Sequence, residues 1–229
     1  MRCGLFGKHA SRRDLIAIEV PETFLAVCEP WLRASVSASR ERLGPNWQKA
    51  YLRAPIWRFW LGSDLCGTII LGALMPSLDE IGRYYPLSVV AAGKPSAAIP
   101  PPEFEAHESW FKAAESFLLA TLTAGVSYEQ VAAGVAALPF PATYSPLAAR
   151  APVVPLAMGG VLCPLDDHPL TRIFASLRHA DWAGAYAGRA FFWTEGGVGF
   201  RPMAFATRTL PHPDLFAAML NGDFRAFTA

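Results

Sequence analysis

The sequence predicts an α/β protein, a three-layer sandwich in which a mixed, largely antiparallel sheet carries helices on both faces. Three observations lead there. Apolar residues make up 52% of the 229 positions and charged residues only 17%, against a usual charged share of about 25%, so a large core is available and global disorder is excluded. Aromatic and β-branched segments at residues 56–61, 68–75 and 85–92 are continuous apolar runs, as expected of strands covered on both faces. Strand-like segments fall into two groups separated by stretches of helical periodicity, an order that suits helices packed on a sheet. The length fits one domain, and no boundary or fixed-period repeat is visible, so residues 1–229 are expected to form a single domain.

Residues 3–6 are short and apolar before Gly7, which predicts a first strand ending in a glycine turn, followed by a polar loop at 8–14. From Pro21 onward, Phe24, Val27, Cys28 and Trp31 recur at helical spacing. Ser35, Ala38 and Arg42 continue that face, the second half of the helix presents small residues that let another backbone approach, and Gly44-Pro45 ends it. Residues 46–53 read as further helical turns. The three apolar strands follow, joined by short turns and hence antiparallel neighbours. Pro95 and Pro100, Pro101 and Pro102 make residues 94–102 an extended crossover. Residues 103–122 place Trp110, Phe111, Ala114, Phe117, Leu118, Thr121 and Leu122 on one helical stripe, and residues 128–138 form another helix. The stretch to Leu165 is broken by prolines and reads as irregular but packed. Asp166 and Asp167 offer helix-start chemistry for an amphipathic helix carrying Leu170, Ile173, Phe174 and Leu177. Residues 189–194 and 200–207 flank Gly196-Gly197 as a hairpin, and a short helix at 213–220 is capped by Asn221-Gly222.

A net charge of +1 supplies no field to gather phosphates or an anionic membrane surface, so nucleic acid is not an expected partner. Residues 1–14 lack the apolar run of a secretory signal, and the weakly charged stretch 130–165 is interrupted by Pro139, Pro141, Pro146, Pro152, Pro155 and Pro164. A cytoplasmic protein without membrane insertion is expected. Cys3, Cys28, Cys66 and Cys163 are far apart and form no CxxC pair, which predicts free buried thiols. His9, His107, His168, His179 and His212 never fall three or four apart, so neither metal nor cofactor is expected. His168 and His212 precede prolines and read as surface turn residues. The seven tryptophans fall mostly on helices and strands and read as core. No nucleophile elbow, zincin, P-loop or dinucleotide fingerprint is present; Gly4-Leu5-Phe6-Gly7-Lys8 has its glycines too close for a phosphate loop.

Two polar clusters stand out in these apolar surroundings. One is Lys8, His9, Ser11, Arg12, Arg13 and Asp14 after the first strand; the other is Ser77, Asp79 and Arg83 after Met75-Pro76. Loops at strand ends commonly carry binding groups. Should the two loops meet at one end of the sheet, Asp14 or Asp79 can pair with Arg83, leaving Lys8 and Ser77 to face a ligand or protein. The alternative is purely structural: the carboxylates cap turns and pair with arginines to fix the loops. Catalysis ranks last, because no histidine stands at a recognisable spacing from a nucleophile and a serine beside aspartates lacks a base.

Several segments in this order resemble the TagF family, also called ImpM, of bacterial type VI secretion. They are Gly4-Leu5-Phe6-Gly7-Lys8, Ser11-Arg12-Arg13-Asp14, Ala54-Pro55-Ile56-Trp57-Arg58-Phe59, and Leu74-Met75-Pro76-Ser77-Leu78-Asp79-Glu80-Ile81-Gly82-Arg83-Tyr84-Tyr85-Pro86-Leu87. Phe191-Phe192-Trp193 and Leu210-Pro211-His212-Pro213-Asp214-Leu215-Phe216 extend the resemblance over the whole chain. The chain departs from the family pattern at Ala10, Arg13 and Leu15, where Pro, Gly and Phe are usual; Arg13 in place of glycine implies a backbone that avoids positive φ. The resemblance implies a three-layer fold and a post-translational repressor of type VI secretion that acts by binding protein, with a forkhead-associated scaffold protein of that system as target. It maps no catalytic residue and no enzymatic activity. The candidate binding residues are Lys8, Ser11, Asp14, Arg58, Ser77, Asp79 and Arg83. The alternative is an enzyme or small-ligand protein working through Asp14, Asp79 and Arg83.

Overall fold

The computed structural model describes residues 1–94, 96–143, 153–157, 159–165 and 169–228. Asp166, Asp167 and His168 lie outside them. In chain order the strands of the main sheet are β1 (Cys3–Gly7), β2 (Ile16–Ile18), β3 (Trp57–Leu61), β4 (Ile70–Met75), β5 (Leu87–Ala92), β8 (Ala190–Thr194) and β9 (Met203–Thr207). They form one seven-stranded sheet in the order β2-β1-β5-β4-β3-β8-β9. Every pairing is antiparallel, so the parallel component allowed by a mixed sheet is not among its ladders. A separate small ribbon, β6 (Val154–Pro155) with β7 (Val161–Leu162), sits in the proline-broken stretch expected to be irregular.

Alternation along the strands builds two cores. On β3, Trp57, Phe59 and Leu61 face one side with Ile70 and Leu74 of β4, Val90 of β5 and Phe6 of β1. Over them lie α1 (Glu22–Leu43), α2 (Trp47–Arg53) and α8 (Leu215–Asn221). On the opposite side Trp60, Leu71, Ala73, Met75, Leu87, Val89, Ala91 and Leu5 meet α4 (Glu108–Ala120) and α5 (Tyr128–Ala137), with Trp182 of α7 (Trp182–Ala185). This is the three-layer arrangement read from the continuous apolar runs. Of the tryptophans, Trp47, Trp57, Trp60, Trp110 and Trp182 are buried; Trp31 and Trp193 are partly so. All four cysteines are buried and free.

Local departures have local causes. The short β2 follows the first loop, where no strand was expected, and pairs Ile18 with Leu5. The helix expected from residue 103 starts only at Glu108, because a turn from Pro101 to Phe104 and a left-handed His107 (φ 54°) come first. The single helical turns α3 (Ser63–Cys66) and α7 were not anticipated. α6 (Leu170–Ala180) covers the expected amphipathic helix.

The register positions the loops. Gly7 at the end of β1 faces Leu87 at the start of β5, which faces Met75 at the end of β4. The loop after β1 and the β4–β5 connection therefore leave the same end of the sheet. Gly7 has φ 134°, and a Cβ there would sit 2.0 Å from the Pro86 carbonyl oxygen, so only glycine allows this close approach. Arg13 is not among the non-glycine residues of positive φ, which among the described residues are Glu19 and His107.

Candidate functional site

The β4–β5 connection folds back on itself: Asp79 N donates to Arg83 O, Gly82 N to Asp79 O at a left-handed glycine (φ 80°), and Tyr85 N to Ser77 O. An aromatic group from α2 supports it. Tyr51 stacks on Trp47 at 4.9 Å and meets Tyr84 edge-on at 5.4 Å. The Tyr51 hydroxyl donates to Ser77 O and accepts from Ser77 N, so Ser77 is a buried anchor rather than a ligand-facing group.

At the centre is Asp79, 0% exposed. Its Oδ2 accepts Lys8 Nζ and Arg83 Nε, each at 2.6 Å, and its Oδ1 accepts the amides of Ile81 (3.1 Å) and Arg83 (2.8 Å). Burial works against the charged carboxylate, but the Lys8 ammonium together with the Arg83 amide and guanidinium outweighs it. The net effect holds Asp79 well below the usual carboxylate range. Lys8 is thus anchored by Asp79 while it also lines the groove described below, and Asp79 rather than Asp14 is the carboxylate of Arg83.

The two loops touch, as the shared sheet end requires. Arg83 Nη2 donates to Arg13 O at 2.6 Å, Glu80 N donates to Arg12 O at 3.2 Å, and the Arg13 and Glu80 side chains pair at 3.6 Å. The first loop is pinned by buried His9. Its Nδ1 lies 2.8 Å from Ser11 Oγ and accepts Ser11 N, and Nε2 lies 2.9 Å from Thr121 O, which suits the Nε2–H tautomer donating to Thr121. A histidine therefore does stand beside a serine, contrary to the spacing argument. Ser11 is nevertheless outside the groove described below, and the His9 bonds close a local turn.

Arg58 lies elsewhere. It alternates with Trp57 and Phe59, so it points to the α4 side of the sheet. There it is 2% exposed and binds Glu115 (2.5 Å), Glu108 (3.1 Å) and Glu195 (2.9 Å), its guanidinium 4.9 Å from the Phe111 ring centroid. Arg58 is a structural ion-pair centre and not part of the loop cluster.

On the α1 side the two loops wall an open groove of about 720 Å³. Lys8, Arg13, Arg33, Arg40 and Arg83 line it, with Asp14 the one carboxylate and Leu15, Val36, Tyr84 and Tyr85 between them. Arg33 and Arg40 were absent from the sequence candidates; with Ser37 they follow i, i+4, i+7 spacing on one face of α1, a pattern that could have revealed them. Among the described residues no group of His, Cys, Asp and Glu is arranged to hold a metal ion, and no helix is long and apolar enough to cross a membrane.

Residues 4–138 match the family described as TagF N-terminal domain, type VI secretion system-associated. No curated protein matches. Among solved structures, the crystal structure of PA0076 from Pseudomonas aeruginosa PAO1 is similar at 29% identity and a TM-score of 0.77, over 96% of this chain and 94% of that one.

Proposed function

Because the chain belongs to the TagF N-terminal domain family of type VI secretion-associated proteins, we propose that it represses that secretion system after translation, in the cytoplasm, by binding a protein component. The forkhead-associated scaffold protein that the family resemblance implies is the proposed target. The observation that carries a binding role is the groove wall: two cations of one wall are tied to a single carboxylate that is itself out of water, so they are held in place without a partner present. Preorganised cations of this kind favour recognition, since less side-chain freedom is lost on association. The same reading treats residues 1–229 as one working unit, because β8, β9 and α8, beyond the family match, complete the sheet and cover α1.

The reading assigns no turnover chemistry. Ser11 does not line the groove, and Asp79 already accepts from four donors. The test is capture: tagged protein expressed in a bacterium with an active type VI system should retain the scaffold protein, and deleting the gene should raise secretion. Capture of no secretion component, with repression intact, would overturn it.

A further inference from the structure

The groove between α1 and the two loops has a charge pattern that specifies its occupant. Resting on the binding reading above, we propose that this groove receives an acidic segment of the partner protein, one that presents separated Asp and Glu side chains with apolar residues between them. Arg40 carries the argument furthest. Its guanidinium carbon lies 4.3 Å from the Trp47 ring centroid and 6.0 Å from that of Tyr84, and it has no carboxylate partner among the described residues. The aromatic contact positions the guanidinium, whose N–H groups, without an acid partner among the described residues, suit a carboxylate in the two-pronged geometry guanidinium favours.

The neighbouring cations are paired with acids that do not line the groove. Lys8 and Arg83 share Asp79, Arg33 pairs with Glu29 at 2.6 Å, and Arg13 with Glu80, while none of these three carboxylates lines the groove. The groove lining therefore carries five cationic residues and one carboxylate, Asp14, among the described residues. Its lining is mixed: Leu15, Val36, Tyr84 and Tyr85 share it with the cations, and Asp14 adds a negative charge. A phosphate chain, charged at every repeat, would be repelled by Asp14 and would leave the apolar lining unmatched. A peptide with spaced carboxylates places each charge on a guanidinium and its intervening side chains on the apolar lining.

The probe is a fluorescent twelve-residue peptide alternating Asp or Glu with Leu or Ala, compared by anisotropy with its Asn/Gln counterpart, a neutral peptide bearing one phosphothreonine, and single-stranded DNA. The full chain should bind the acidic peptide best, with affinity falling about tenfold or more from low to high salt. Arg33→Ala and Arg40→Ala should each weaken binding about tenfold, while Arg178→Ala, outside the groove, should leave it unchanged. Both groove arginines are exposed, so these variants should fold, and matched thermal melts establish it. Equal binding of the amide peptide, tighter binding of phosphopeptide or DNA, or no effect of both arginine substitutions together would each overturn the assignment. Capture of the secretion partner is measured in parallel. Wild-type protein that captures it yet ignores the acidic peptide refutes the groove inference alone; wild-type protein that captures nothing refutes the binding function instead.

Discussion

Substituting Asp79→Asn isolates the interaction on which the site is built. The amide keeps an oxygen for the amides of Ile81 and Arg83, but it turns an N–H donor toward two cations that now sit 2.6 Å from Oδ2. Arg83, whose side chain is 54% exposed, can swing into water, and its share of the loss is small. Lys8, at 13%, has less access to solvent and must either stay against a donor or pull the first loop away. Removing one member of a buried pair costs about 3–5 kcal/mol; the escape of Arg83 places this variant near the lower end, at about 3 kcal/mol. Urea unfolding at neutral pH measures it as a lower midpoint with unchanged slope. The pH dependence has a definite sign. Asp79 is held below its unfolded value, so its contribution is complete above the unfolded pKa of about 4 and is lost as pH falls through the lower folded value. The gap between wild type and Asp79→Asn should be equal at pH 7 and pH 5, and should narrow in strongly acidic solution. A loss under about 1 kcal/mol, or a gap that widens on acidification, would refute the reasoning.

Three other substitutions test the remaining assignments. Arg58→Met should destabilise by only about 1 kcal/mol in urea, since the apolar side chain refills the buried position while Glu108 and Glu195, 50% and 67% exposed, return to water, and should leave partner capture unchanged. Ser11→Ala removes the hydroxyl contact to His9 and should cost about 1 kcal/mol with repression intact; loss of repression in the folded variant would favour a nucleophilic serine. Gly7→Ala forces a Cβ onto the Pro86 carbonyl at φ 134° and should lower stability by more than about 2 kcal/mol, measured by thermal or urea unfolding, and a neutral result would mean the strand end is not so constrained.

The sheet was legible because its central strands, buried on both faces, left continuous apolar runs in the sequence. β2 was hidden by its length: the three residues Ile16–Ile18 carry too little pattern to separate a strand from a loop. The single turns α3 and α7 were hidden for the same reason. The meeting of the two polar loops could be anticipated from strands that end in them, but the choice of Asp79 over Asp14 depends on the register that aligns Gly7, Leu87 and Met75. Arg58's separation from the two loops was legible, since its alternation with Trp57 and Phe59 assigns it to the α4 face of the sheet. Arg33 and Arg40 went unnoticed because two arginines on a long polar helix face look like ordinary solvated charge. Only the approach of the loops to α1 makes them part of a wall.

Charge reversal at Arg83 tests the central claim, that repression operates through binding at this site. Arg83→Glu should be followed in one strain by capture of the secretion partner and by secretion itself, with a thermal melt to establish the fold. The account predicts that both change together: capture weakens by roughly 2–5 kcal/mol where the charge is buried in the interface, and secretion is released. Secretion released while capture stays intact, in a correctly folded variant, would contradict it and point instead to chemistry performed on a partner already bound.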